Sequence, residues 1–315
     1  MSILYGKRGT WVNQFAQPTL EEFDAGMRPM EYVVLKWGLN GAGIGGPNSG
    51  VYERQAASLG KDWLAERMAE SGEGSQDGPR HAALYAEQLA NQANQPGCVG
   101  AVINLEEGDG GWHLDNGDGT RLLINTFRTK APGKPLFASL DTRGNRPNLP
   151  YQRICAGLCD GVMPMVYHAA FQQSPATAFA VAITPLMRER WAGKDIIATY
   201  QTYDVRKELP IQTDVMAQVA ELRSLYARGI IHGANSYTMG HATPAQWAAS
   251  LAFEPKPHVI TSPKPDVAAA LAEIRKLWLE GTHQVEQKGT IQELAAWSRF
   301  WEKLAGVHRA EPGVA

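Results

Sequence analysis

The 315-residue sequence is poor in the features that mark disulfide scaffolds, membrane spans and nucleic-acid binders. Three cysteines, Cys98, Cys155 and Cys159, are too few for a disulfide framework, and their scarcity points to synthesis in a reducing cytosol. No apolar run approaches the roughly 20 residues that a bilayer span requires, so no membrane partner is expected. Thirty Lys and Arg stand against 32 Asp and Glu, a formal charge of −2, which leaves no excess of positive charge for nucleic-acid binding. Lys7 and Arg8 are followed by no apolar h-region, so no secretory signal is expected. A substrate outside the cytoplasm would then be reached by assisted release or on a particle. The eight His residues include no HExxH pair, Cys155 and Cys159 have no second ligand pair, and GxSxG and Walker A motifs are absent, so no metal or cofactor is expected.

What the chain does contain is alternation. Apolar runs at Tyr32–Trp37, Val99–Leu105, Pro135–Leu140, Gly161–Tyr167, Asp195–Tyr200 and Gly229–Ala234 read as strands buried on both faces. An earlier strand falls in Ile3–Tyr5 or Thr10–Phe15. Helical stretches lie between them: Pro79–Ala93, Pro175–Trp191, Asp214–Arg228 and Pro244–Leu251, with Ser174, Thr213 and Thr243 as N-cap candidates. Repeated βα units predict a parallel sheet, and seven or eight of them over about 250 residues suit a (β/α)8 barrel better than a doubly wound sheet. The weak point is Arg54–Gly78, which reads as helix and then Gly/Ser-rich polar sequence. One unit there is expected to be short, irregular or missing.

The barrel is expected over residues 1–253, followed by a proline-rich linker at 254–265 and a two-helix extension at 266–306. The second of those helices carries Leu294, Trp297, Phe300, Trp301 and Leu304 on one face. It suits packing on the barrel or homo-oligomerisation.

Barrel chemistry sits at the C-terminal ends of strands. Read that way, the strand ends supply Lys36 and Trp37; Asn104, Glu106 and Glu107; Asp141; Tyr167 and His168; Tyr200, Gln201, Tyr203 and Asp204; and Asn235 and Tyr237. Carboxylates among aromatics and amides are the equipment of glycoside hydrolysis, in which one acid protonates the leaving oxygen. Period-two counting places Glu106 on the same face as Asn104. Glu106 is the candidate general acid, and Glu107, Asp141 or Asp204 the candidate second carboxylate. Lys36, Trp37, Tyr167, His168, Tyr200, Gln201, Tyr203, Asn235 and Tyr237 are the candidate substrate contacts. A desolvated Lys36 acting as an amine nucleophile is a further reading. Gly41, Gly43 and Gly46 spell G-x-G-x-x-G, but Pro47, Asn48 and Ser49 prolong the loop where a dinucleotide site needs a helix. The Asp109 and Asp115–Asp118 region lacks the spacing of a calcium loop.

Several segments resemble family 25 glycoside hydrolases, the lysozyme-type muramidases. AVINLEEG is similar to the family's fourth strand, where Asp-x-Glu carries the acid. YVVLKWGLNG is similar to its second strand, LPYQRICAGLCDGVMPMVYH to the segment before its sixth strand end, and ARGIIHGANSYTMGHATPAQWAASL to its closing strand and helix. The resemblance covers roughly residues 1–252 and implies a barrel acting on peptidoglycan or a related cell-wall polysaccharide. Asn104 stands where the family has Asp, and the first-strand Asp-x-Ser is absent, so the implied catalytic role carries over to Glu106 alone. The same departures suit a second reading: a catalytically inactive barrel that binds carbohydrate or serves as a structural component of a particle.

Overall fold

The computed structural model describes residues 3–13, 17–36, 50–68, 78–105, 117–205 and 208–255. Eight parallel strands close into a barrel in chain order: β1 (Arg8–Val12), β2 (Tyr32–Lys36), β3 (Asp62–Met68), β4 (Cys98–Leu105), β5 (Leu136–Leu140), β6 (Gly161–Val166), β7 (Asp195–Gln201) and β8 (Gly233–Tyr237). β8 returns to pair with β1 in the register Gly9 with Asn235. The helices among the described residues are α1 (Leu20–Met27), α2 (Val51–Ser58), α3 (Gly78–Ala93), α4 (Asp118–Lys130), α5 (Pro150–Leu158), α6 (Pro175–Ala182), α7 (Pro185–Arg190), α8 (Val215–Ala227) and α9 (Pro244–Ser250). The barrel expected from the sequence is the fold observed. No described helix is long and apolar enough to cross a membrane.

Strand alternation splits the core in two. Outward residues such as Val33, Leu35, Ala65, Ile103, Leu140 and Val166 pack with the helices in one continuous cluster. Inward residues Tyr32, Val34, Leu64, Val102, Phe137, Met163 and Ile197 form a second cluster inside the barrel, joined from below by Leu4. Both faces of each strand are therefore buried, which is why the strands read as unbroken apolar runs. On the barrel floor, a Cβ on Gly9 would come within 2.2 Å of the Tyr32 ring, so the absence of a side chain there lets that ring fill the interior. The buried Arg8 guanidinium donates to the carbonyls of Pro29, Leu251 and Phe253, tying the foot of β1 to the chain after α9.

Four local readings change. The unit expected to be degenerate contains a full seven-residue strand, β3. Its charged residues hid it: Glu66 and Arg67 are buried, Glu66 facing inward with Leu64. Arg67 faces outward, its guanidinium 5.9 Å from the centre of the Tyr85 ring on α3. The last strand starts later than its apolar run suggests. Gly229, at φ +65°, ends the turn after α8, and β8 is the polar sequence GANSY. The helix expected over Pro175–Trp191 is two. Pro185 cannot donate to a continuing helix, and Thr184 caps a new one by accepting from the Met187 amide. Asp214, rather than Thr213, caps α8.

The chain divides into two units between Pro257 and His258. The expected two-helix extension and most of the expected linker fall outside the described residues, as do Gly41, Gly43, Gly46, Asp109 and Asp115. Cys155 on α5 and Cys159 at its C-cap are both buried free thiols. Burial and the neighbouring Cys159 push the Cys155 thiol well above its ordinary range.

Candidate active site at the barrel mouth

The strands end in a polar layer above the apolar floor. Continuing the inward positions upward from Val34, Leu64 and Val102 gives Lys36, Glu66 and Asn104, which are 7%, 0% and 3% exposed. Lys36 and Glu66 are register partners on adjacent strands, which lie about 4.8 Å apart. Met68, two residues after Glu66, pairs with Asn104, and Asn104 pairs with Ser139. The register thus brings one basic and one acidic position together at the mouth end of adjacent strands, where burial of an isolated charge costs several kcal/mol or more.

Across the barrel, Asn235 organises the interior. Trp11 Nε1 donates to Asn235 Oδ1 at 2.7 Å, and Asn235 Nδ2 donates to the Tyr32 hydroxyl at 3.2 Å. Burial raises the Tyr32 phenol pKa, so Tyr32 stays neutral. The β1–β8 seam adds a Ser236 Oγ bond to Thr10 Oγ1 at 2.9 Å and a Thr238 Oγ1 bond to the Trp11 carbonyl at 2.7 Å.

Half-buried aromatic rings form a row over the ends of β6, β7 and β8. Tyr237 stacks on Tyr167 with centres 5.3 Å apart and planes 30° apart. Tyr203 lies 6.2 Å from Tyr237 on the other side, and His241 lies 5.0 Å from Tyr203. Phe171 continues the row 6.0 Å beyond Tyr167, and the Arg143 guanidinium covers its ring at 3.4 Å. Trp11 meets Tyr237 edge-on at 5.6 Å from inside the barrel. Offset and tilted pairs at these separations are the favoured aromatic geometries.

The candidate residues named from the sequence fall into distinct places. Tyr167, Tyr203 and Tyr237 meet in the aromatic row. Lys36 and Asn104 lie in the polar layer beneath the mouth, and Asn235 one layer deeper. Asp141 is held by Arg143 through Nε at 2.8 Å and Nη2 at 2.6 Å, with Arg146 at 3.5 Å. Asp204 accepts from the Thr213 amide at 2.8 Å and from Gln246 Nε2 at 3.1 Å. Gln201 spans two loops, accepting from the Ala170 amide and donating to the Tyr203 carbonyl. His168 is fully buried: Nε2 accepts from the Asp214 amide at 3.0 Å, which leaves Nδ1 to donate to the Gln173 carbonyl at 3.2 Å. Burial holds its imidazole below the ordinary range. Tyr200 faces the helices, within hydrogen-bond distance of the Ser250 carbonyl. Trp37, Glu106 and Glu107 lie outside the described residues. Among the described residues, no group of three His, Cys, Asp or Glu side chains is placed to hold a metal ion.

Glu66 is the site residue that sequence reasoning missed. A signal for it exists: both DWLAERM and YVVLK run apolar and then turn charged at the end that the register aligns. Charge at the mouth end of a barrel strand marks an inward polar position rather than a break in the strand.

The class of structure is the closed eight-stranded (β/α)8 barrel, and solved structures share it. The chain matches the spore cortex-lytic enzyme SleL of Bacillus cereus at a TM-score of 0.60 and 9% identity, over 79% of this chain and 74% of that one. It matches a GH18 chitinase of Pseudoalteromonas aurantia at a TM-score of 0.56 and 14% identity, over 78% of this chain and 98% of that one. A chitinase of Chromobacterium violaceum matches at a TM-score of 0.58 and 12% identity, over 78% and 97%. At these identities the likeness establishes the fold. No protein-family model matches the chain, and no curated protein matches its sequence.

Proposed function

We propose that the protein is a glycoside hydrolase acting on an N-acetylated cell-wall glycan, with Glu106 as general acid. The observation that carries the reading is the layered mouth: an aromatic row over a buried polar layer, at the strand ends of a barrel shared with SleL and chitinases. Half-exposed tyrosine rings offer flat faces to pyranose rings. In sequence Glu106 comes two residues after the inward Asn104, and period-two counting expects the same face for both.

Of the second carboxylates proposed from the sequence, the two among the described residues are engaged elsewhere, which favours substrate assistance. Asp141 and Asp204 are committed to loop partners, and Asn104 replaces an acid. In substrate-assisted hydrolysis the sugar's own 2-acetamido oxygen attacks the anomeric carbon while one acid protonates the leaving oxygen. A single Glu then suffices, and Asn104 is placed to orient the acetamido group. The test is release of reducing ends from chitin oligosaccharides and peptidoglycan, acetylated and de-N-acetylated. Cleavage of the acetylated glycan alone is expected, and equal cleavage of both forms overturns substrate assistance.

The second reading, a barrel that binds glycan without cleaving it, is favoured by the same commitment of Asp141 to Arg143 and Arg146. Saturable glycan binding with no reducing ends released from any acetylated substrate would establish it.

A further inference from the structure

On the outer wall of the barrel, α4, α5 and α7 line an open cavity of about 410 Å³. Three arginines line it, Arg121 from α4, Arg153 from α5 and Arg190 from α7. Its apolar lining is Pro150, Ile154 and Leu158, one stripe of α5. Among the described residues no carboxylate lies within 4.0 Å of any of the three guanidinium groups. Three uncompensated positive charges around one opening repel each other, in a chain whose overall charge is −2.

Local contacts shape the walls. Arg190 Nη2 donates to Asn148 Oδ1 at 3.1 Å, which holds one guanidinium in place. Gly117, the N-cap of α4 at φ +82°, packs so closely on α5 that a Cβ there would lie 2.3 Å from Ile154 Cδ1. Gly157, in the lining of the cavity, has open space where a side chain would be.

We infer that this cavity binds a small phosphorylated molecule. Guanidinium groups match phosphoryl oxygens in pairs of parallel hydrogen bonds, and a phosphoryl group brings up to two negative charges to three positive ones, where a carboxylate brings one. The volume falls within the range of small-molecule sites and exceeds what a phosphoryl group fills, leaving the Pro150, Ile154 and Leu158 stripe for the organic part. None of its lining residues belongs to the aromatic row or the polar layer of the mouth, and the inference does not depend on the proposed glycosidase activity.

Thermal unfolding of the full chain with hexose 6-phosphate, against unphosphorylated hexose at matched ionic strength, tests it. The phosphorylated sugar is expected to raise Tm by about 5 °C more than hexose does at roughly 100-fold excess over Kd. The double variant Arg121→Gln/Arg153→Gln is expected to unfold cooperatively and lose that difference. Gly157→Leu fills the open space with a better helix former, so it is expected to raise the ligand-free Tm and also lose the difference. An equal response to both sugars in the wild type, or a difference that survives in either variant, overturns the inference.

Discussion

The two ends of the barrel interior solve different problems with the same eight strands. The lower half is closed by Leu4, Tyr32, Leu64, Val102, Phe137, Met163 and Ile197, an apolar plug that leaves no room for a ligand. The upper half, one step further along the same strands, carries Lys36, Glu66, Asn104, Ser139 and Thr199, all buried and polar. Polar groups in a water-poor interior cost stability unless each finds partners. The contrast teaches that the floor supplies the stability that the mouth consumes, the division of labour common to barrels of this kind.

The sharpest way to break that contrast is to damage the floor. Phe137→Ala removes a fully buried ring from the apolar plug and is expected to cost about 3–5 kcal/mol in urea unfolding, with no change in the pH dependence of any mouth activity. A loss under about 1 kcal/mol would mean that the plug is not the stabilising half. In the mouth, Glu66→Leu removes a fully buried carboxylate from the strand position beside Lys36 and is expected to cost about 3–5 kcal/mol. Adding Lys36→Met is expected to recover most of that loss, since a matched apolar pair no longer buries charge. If the double variant is as unstable as the single, the two charges are not energetically coupled.

Smaller effects sharpen the picture. Removing the middle ring of the row, Tyr237→Ala, is expected to raise KM for a glycan about 3- to 10-fold and change kcat less, as loss of a stacking surface should. The smallest effect is one of pH. Burial lowers the His168 and His241 pKa values from the ordinary 6.5. Between that value and the lowered one, the unfolded chain binds protons that the folded chain refuses. Stability is therefore complete above about pH 6.5 and falls as pH drops through the window below it. Urea midpoints at pH 7.5 and 5.5 should show this fall, and His168→Gln should shrink it.

How much of this was legible in the sequence depended on which side of a strand a residue faced. Buried apolar runs such as YVVLK and VGAVINL announced their strands, because both of their faces meet hydrocarbon. β3 and β8 were hidden or displaced by polar residues within the strands, Glu66 in one and Asn235 and Ser236 in the other. A reader of apolar patterns loses strands where the interior turns polar. Side-chain commitments were harder still. Asp141 and Asp204 sit at strand ends as a catalytic pair would, and only three-dimensional contacts tie them to Arg143, Thr213 and Gln246. His168 shows the same limit, since its two amide-backbone partners lie 5 and 46 residues away.

The most direct test of the central claim, that the mouth performs glycan hydrolysis with Glu106 as its acid, is one substitution read two ways. Glu106→Gln should melt within about 2 °C of the wild type, because an amide replaces a carboxylate of the same shape. On acetylated wall glycan it should release reducing ends about 10²–10⁴-fold more slowly. Turnover within tenfold of the wild type, in a protein that melts normally, would contradict the account.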